Sequence, residues 1–185
     1  MRALLTRLAP LALMAAVYAH STDAQAVPPE LRPGTKPHHF EFGPTFGWGF
    51  FGPGDAYPLA SAWIDYRYHF FGNAEGPSLG VASLIGGWRN RFSFTVGPMF
   101  EWDFRLVKDK PLGLYLGPHI VSGWRVETFR DNPTYHYFFA MVGPTLKLIV
   151  NDFWVFWVRP ANIDFRFGHA IYGNWGGALG AGITF

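Results

Sequence analysis

Cysteine is absent from the 185 residues. This excludes a disulfide framework, a thiolate nucleophile, a Cys-ligated metal and a lipid-anchored cysteine. Charge is scarce as well: Asp, Glu, Lys and Arg make up 15% of the chain, against roughly 25% in soluble domains. That is too little to cover a water-facing surface comfortably. The charges almost cancel, at +2, and form no basic run, so nucleic acid is not an expected partner. The histidines show no HExxH or comparable spacing, and neither a metal nor a cofactor is expected. Long apolar runs are missing: past the N-terminus no stretch reaches the ~18 apolar residues of a membrane helix. If the mature chain is integral to a membrane, it must therefore cross as a closed barrel, the other structure that satisfies every backbone group in lipid.

Aromatic residues are abundant, at 19%, with 19 Phe and eight Trp. The N-terminus has three parts: Arg2 and Arg7, an apolar stretch from Leu8 to Ala19, and the small-x-small triplet Ala24-Gln25-Ala26. This is the pattern of a secretory signal peptide. We expect residues 1–26 to be removed, 27–38 to form an unstructured Pro-rich lead-in, and 39–185 to fold.

From residue 39 onward the sequence alternates with period two. In Arg91 to Leu106 the even positions run Phe92, Phe94, Val96, Pro98, Phe100, Trp102, Phe104, Leu106. The odd positions run Arg91, Ser93, Thr95, Gly97, Met99, Glu101, Asp103, Arg105. Only an extended strand sends successive side chains to opposite faces in this way. Seven further segments behave alike, at about 39–51, 58–70, 78–88, 112–128, 135–150, 153–167 and 174–185. In 153–167 the apolar set switches from even (Trp154, Phe156, Val158) to odd (Ile163, Phe165, Phe167), which predicts a bulge at Arg159-Pro160-Ala161. Short links rich in Gly, Pro, Asp and Asn join the segments. The expected fold is all-β: an eight-stranded antiparallel up-and-down transmembrane barrel behind a cleavable signal peptide.

A sandwich also has one apolar and one polar face. A barrel is favoured because the polar face is crowded with Gly, as the narrow interior of eight strands requires. It is favoured too because Trp falls at two levels. With the N-terminus on the periplasmic side, Trp48, Trp124 and Trp175 lie near the outer ends of their strands, and Trp102 and Trp154 near the inner ends. Two aromatic girdles are what two membrane interfaces call for. Gly-Pro recurs inside strands at 43–44, 97–98, 117–118 and 143–144. Proline cannot donate to a ladder, so we expect local bulges there, or strands split in two.

The last six residues, Gly180-Ala181-Gly182-Ile183-Thr184-Phe185, end in an aromatic with an apolar residue two before it and a Gly five before it. This resembles the C-terminal assembly signal of bacterial outer-membrane barrels, although Ala178 departs from the usual polar residue. The mature chain is similar in architecture to the small barrels typified by the OmpA membrane domain, OmpX and OmpW. The resemblance implies insertion by the barrel-assembly machinery and a place among outer-membrane lipids of a Gram-negative-type bacterium. A monomer is expected.

The polar face carries Glu41, Asp65, Glu101, Asp103, Glu127 and Asp164 opposite Arg67, Arg91, Arg105, Arg125, Lys147, Arg159 and Arg166. One reading is an internal ion-pair network that fills the barrel; the other is a narrow transport channel or a conduit for a small hydrophobic ligand. A third, lipid A-modifying chemistry, would draw on inward Ser93 and His119, but their spacing does not establish a catalytic arrangement. We expect Phe50 opposite Pro58, which sets Glu41 opposite Arg67, and Arg105 opposite Gly113, which sets Arg91 opposite Glu127. Ion pairs Glu41–Arg67 and Arg91–Glu127 should then fill and fix the lumen.

Overall fold

A computed structural model of the chain describes residues 34–52, 59–88, 91–107, 112–130 and 133–185. The expected signal peptide, its cleavage site and most of the lead-in lie outside these residues, as do Arg89-Asn90 and Pro58. The described residues form eight strands and no helix: β1 (His38–Phe51), β2 (Leu59–His69), β3 (Gly76–Trp88), β4 (Arg91–Val107), β5 (Leu112–Phe129), β6 (Tyr135–Val150), β7 (Trp154–Phe167) and β8 (Ile171–Thr184). Each strand pairs antiparallel with the next, and β8 pairs with β1 to close the barrel. Closure is completed where His38 and Phe185 exchange backbone hydrogen bonds at 3.1 and 3.0 Å.

Alternation decides which way each side chain points. Phe42, Val81, Ile120, Leu179 and most other large apolar side chains of the strands stand exposed on the outer wall. Within the described strands, no Asp, Glu, Lys or Arg is exposed; all turn inward. A water-soluble sandwich has the opposite arrangement, with apolar residues inside and charges outside.

The Gly-Pro dipeptides do not split the strands, which run unbroken for 14–18 residues where these dipeptides occur. The expected bulges are also absent at Pro44, Pro98 and Pro118. There the register on both sides of the proline is the same, and pairing lapses only beside it, on the side where its missing N–H would have donated. The glycine before each proline faces inward against the neighbouring backbone. A Cβ at Gly97 would lie 1.8 Å from the Ser122 carbonyl oxygen, and one at Gly43 would lie 2.0 Å from that of Leu179. Pro144 does coincide with a register shift, between Val142 and Leu146. The partner strand shifts between Arg159 and Asn162, where the change of phase in β7 predicts it. Val155, Trp157 and Arg159 point in before the bulge, and Asn162 and Arg166 after it.

Residues 34–37, within the expected lead-in, form no strand but are tethered to the barrel. The Gly34 and Thr35 N–H groups donate to Asp152 Oδ1 at 2.5 and 2.7 Å, and Thr35 Oγ1 reaches Asp152 Oδ2. The Gly34 carbonyl accepts from Ala74 N, and that of Pro37 from His69 N, both at 2.8 Å. Asp152 is available because Asn151 and Asp152, at φ 54° and 51°, make a tight β6–β7 turn beneath the barrel. The segment lies against the buried Tyr115 and Ala74, at the end of the barrel that carries Phe185.

Candidate functional site

The inward face stacks into layers, because each strand contributes inward residues at fixed intervals. We call the end that holds His38 and Phe185 inner and the opposite end outer. The inner tier gathers Glu41 from β1, Asp65 and Arg67 from β2, Glu101 and Asp103 from β4, Lys147 from β6 and Arg159 from β7. Arg67 contacts Glu41, Asp65 Oδ1 at 2.7 Å and Glu101 Oε2 at 2.7 Å. Lys147 contacts Glu101, and Asp103 Oδ2 at 2.5 Å. Arg159 Nη2 crosses to Glu41 Oε2 at 3.2 Å, Asp65 Oδ2 at 3.3 Å and Glu101 Oε2 at 3.5 Å. Its guanidinium packs over both the Trp63 and Trp157 rings, 4.2 and 4.3 Å from their centroids. Each carboxylate of Glu41 and Glu101 thus meets more than one cation, which is what a buried charge requires to offset its lost hydration.

Above this tier lies an apolar layer of Leu84, Met99, Val121, Phe139 and Met141, all buried. The outer tier comes next. Arg91, Arg125 Nε at 2.9 Å and Arg166 Nη1 at 2.6 Å all converge on Glu127 Oε1. Arg125 Nη1 is 3.8 Å from Asp164 Oδ1, and Asn174 joins Asp164 to Arg166. A cavity of about 30 Å³ beside Arg125, Asn162 and Asn174 has room for one or two waters.

The two residue pairs expected across strands are brought into contact, though through a different register. Glu41 lies opposite Asp65, and Arg67 opposite His39. Arg91 lies opposite Phe129, and Glu127 opposite Ser93. Both ladders are displaced by two residues from the expected pairing, because the hairpin connections are not of the assumed length. A two-residue shift preserves the face, and long side chains reach a diagonal neighbour. Arg105 joins neither tier; its Nε donates to the Val107 carbonyl at 3.0 Å near the inner mouth.

The five girdle tryptophans all stand outward. Trp48 and Trp175 face one another across β1 and β8, with ring centroids 6.0 Å apart, and Trp124, Trp102 and Trp154 are exposed on the wall. Of the C-terminal residues, Phe185 is exposed and stacks on His38 at 5.4 Å, Ile183 lies opposite Phe40, and Gly180 packs against Trp157. Ser93 and His119 both face inward but do not meet. Ser93 Oγ accepts from Arg125 Nε at 3.0 Å in the outer tier, whereas His119 Nδ1 bonds Thr145 Oγ1 at 2.9 Å in the inner one. Among the described residues no three metal-ligating side chains converge.

Sequence reasoning overlooked three features. Trp157 clamps Arg159, and the phase of β7 before its bulge already sends both inward. His39 and His69, fully buried with ring centroids 4.3 Å apart, alternate inward on β1 and β2 beside Glu41 and Arg67. The third is the ring cluster of Tyr135, Tyr137, His169 and Tyr172 at the outer rim, formed from β6, the β7–β8 connection and the start of β8 and without a local signature.

Closed ladder, charges within and an apolar wall without define the inside-out build of a small outer-membrane barrel. A solved structure shares this fold. Neisserial surface protein A aligns with a TM-score of 0.55 and 10% identity, over 80% of this chain and 97% of that one. The N-terminal barrel of Pseudomonas aeruginosa OprF aligns at 0.48 and 16% identity, over 80% and 97%. The attachment invasion locus protein Ail of Yersinia pestis aligns at 0.42 and 17% identity, over 81% and 99%. At such identities the likeness is one of fold. No family model matches the sequence, and no curated relative matches it.

Proposed function

We propose that this chain is a structural barrel of the outer membrane whose lumen is filled and charge-paired, so that it neither conducts nor catalyses. The observation that carries this reading is the inner tier: Glu41, Arg67, Glu101 and Arg159 are each 0% exposed. A conducting pore needs a continuous wet path, and water reaches none of these charged groups. The apolar layer above and the Gly34–Tyr115–Ala74 contact below add two further closures. The same reading has the signal peptide removed after Ala26, insertion through the barrel-assembly machinery by way of Gly180, Ile183 and Phe185, and a monomer among outer-membrane lipids.

Purified mature protein in planar bilayers tests the reading. Silence across a range of voltages is the expected result. Discrete conductance steps would favour the narrow channel instead. A mass change in lipid A on expression would favour the enzyme, against which stands the separation of Ser93 and His119 into different tiers.

A further inference from the structure

In the outer tier three guanidinium groups meet two carboxylates. Arg91, Arg125 and Arg166 share the single oxygen Glu127 Oε1, while Asp164 is 3.8 Å from Arg125 and already accepts from Asn174 at 2.7 Å. One guanidinium offers five N–H donors, so these acceptors are oversubscribed; Arg91 Nε and Arg166 Nε have no hydrogen-bond partner. The inner tier has a carboxylate in excess, but the layer of Met99, Val121 and Met141 lies between. Among the described residues, the outer tier thus keeps one positive charge unmet at its own level.

The arginines are also held ready. Arg166 lies 4.9 Å over the Tyr172 ring and Arg91 lies 5.6 Å over that of Phe129. Stacking fixes the flat face of a guanidinium and leaves its in-plane N–H edge to meet the forked oxygens of an oxyanion. Unlike the sealed inner tier, this one opens to the outer mouth: the Arg91 side chain is 14% exposed and that of Arg166 7%. At the rim, Tyr172 Oη and the exposed His169 Nε2 stand 3.1 Å apart, adding polar groups where a substituent on the anion would project.

We propose that the outer mouth binds an oxyanion of the phosphate class, free or carried on a headgroup, which bridges Arg91 and Arg166 and supplies the negative charge that Glu127 and Asp164 leave wanting. The site lies above the apolar layer, so the proposal holds whether or not the lumen conducts.

The test uses the mature chain refolded in maltoside micelles, in a low-salt buffer free of phosphate, with inorganic phosphate titrated by calorimetry. Saturable binding is expected. Arg91→Gln should weaken it about tenfold, the loss of one charge-assisted hydrogen bond. Asp164→Asn, which removes a competing carboxylate, should tighten it. Opposite responses of this kind read charge balance, which a purely structural role would not produce. Each variant is first checked for the compact migration of the unheated barrel on gels; Asn174→Asp, which adds a carboxylate, serves as a second weakening variant. Repeating the titration with dodecyl phosphate doped into the micelles separates the sources. A response to inorganic phosphate supports a free anion. A response to dodecyl phosphate alone, lost in Arg91→Gln, supports a headgroup. No saturable response to either, or equal affinity in Arg91→Gln and Asp164→Asn, overturns the proposal.

Discussion

Replacing Arg67 with Met removes the cation that touches three carboxylates of the inner tier: Glu41, Asp65 and Glu101. Three cations facing four carboxylates become two facing four, in a place no water reaches. Breaking a buried ionic cluster from one side costs about 3–5 kcal/mol, a large share of the roughly 5–15 kcal/mol that holds a domain together. Glu41→Gln acts in the other direction. It leaves three cations and three carboxylates, and its amide oxygen can still accept from Arg159 Nη2, now 3.2 Å from Glu41 Oε2. Its cost should stay near that of a single net hydrogen bond, about 1 kcal/mol. The double variant, with two cations and three carboxylates, should fall between the two singles, which implies a coupling of at least about 1 kcal/mol. Urea unfolding in detergent, followed by tryptophan fluorescence and by the gel shift between folded and unfolded forms, measures all three. Equal costs for the two single variants, or no coupling, would refute the argument that charge balance governs this lumen.

Three further outcomes are expected. N-terminal sequencing of protein from the membrane fraction should begin at Val27, and a return of Met1 would contradict cleavage after Ala26. Unheated samples should migrate faster on gels than boiled ones and give a mainly β far-ultraviolet spectrum, since a closed ladder must break as a whole; a mainly helical spectrum would end the barrel reading. Deleting Phe185 removes the residue that exchanges backbone hydrogen bonds with His38 and the terminal aromatic of the assembly signal, so membrane yield should fall while export continues. Unchanged yield would count against that signal.

Much of this was legible from the chain alone. In Arg91–Leu106 the alternation is so regular that strand, outward face and inward face could be assigned residue by residue. The change of phase around Arg159-Pro160-Ala161 located a bulge that both neighbouring strands register. Such inferences succeed because the period of two follows from backbone sterics and needs no partner. Register was less legible: both hairpins pair two residues away from expectation. The even shift was the tolerable one, because an odd slip would have turned every charge toward lipid. The prolines were misjudged in a similar way. At Pro44 and Pro98 the ladder loses pairing on one side without gaining a residue, and no sequence signal distinguishes that from a bulge.

The sequence by itself therefore determined the strands, their two faces and the exclusion of charge from the outer wall, all consequences of local geometry and of the cost of charge in lipid. Only the tertiary structure decided which charges meet. Arg159 touches Glu41 across 118 positions of chain, and Asp152 fastens Gly34 across the same span. Such contacts depend on how far strands are staggered when β8 closes on β1. That stagger sets the barrel's width and the height of each inward side chain, and it is a property of the closed ring that no single strand carries.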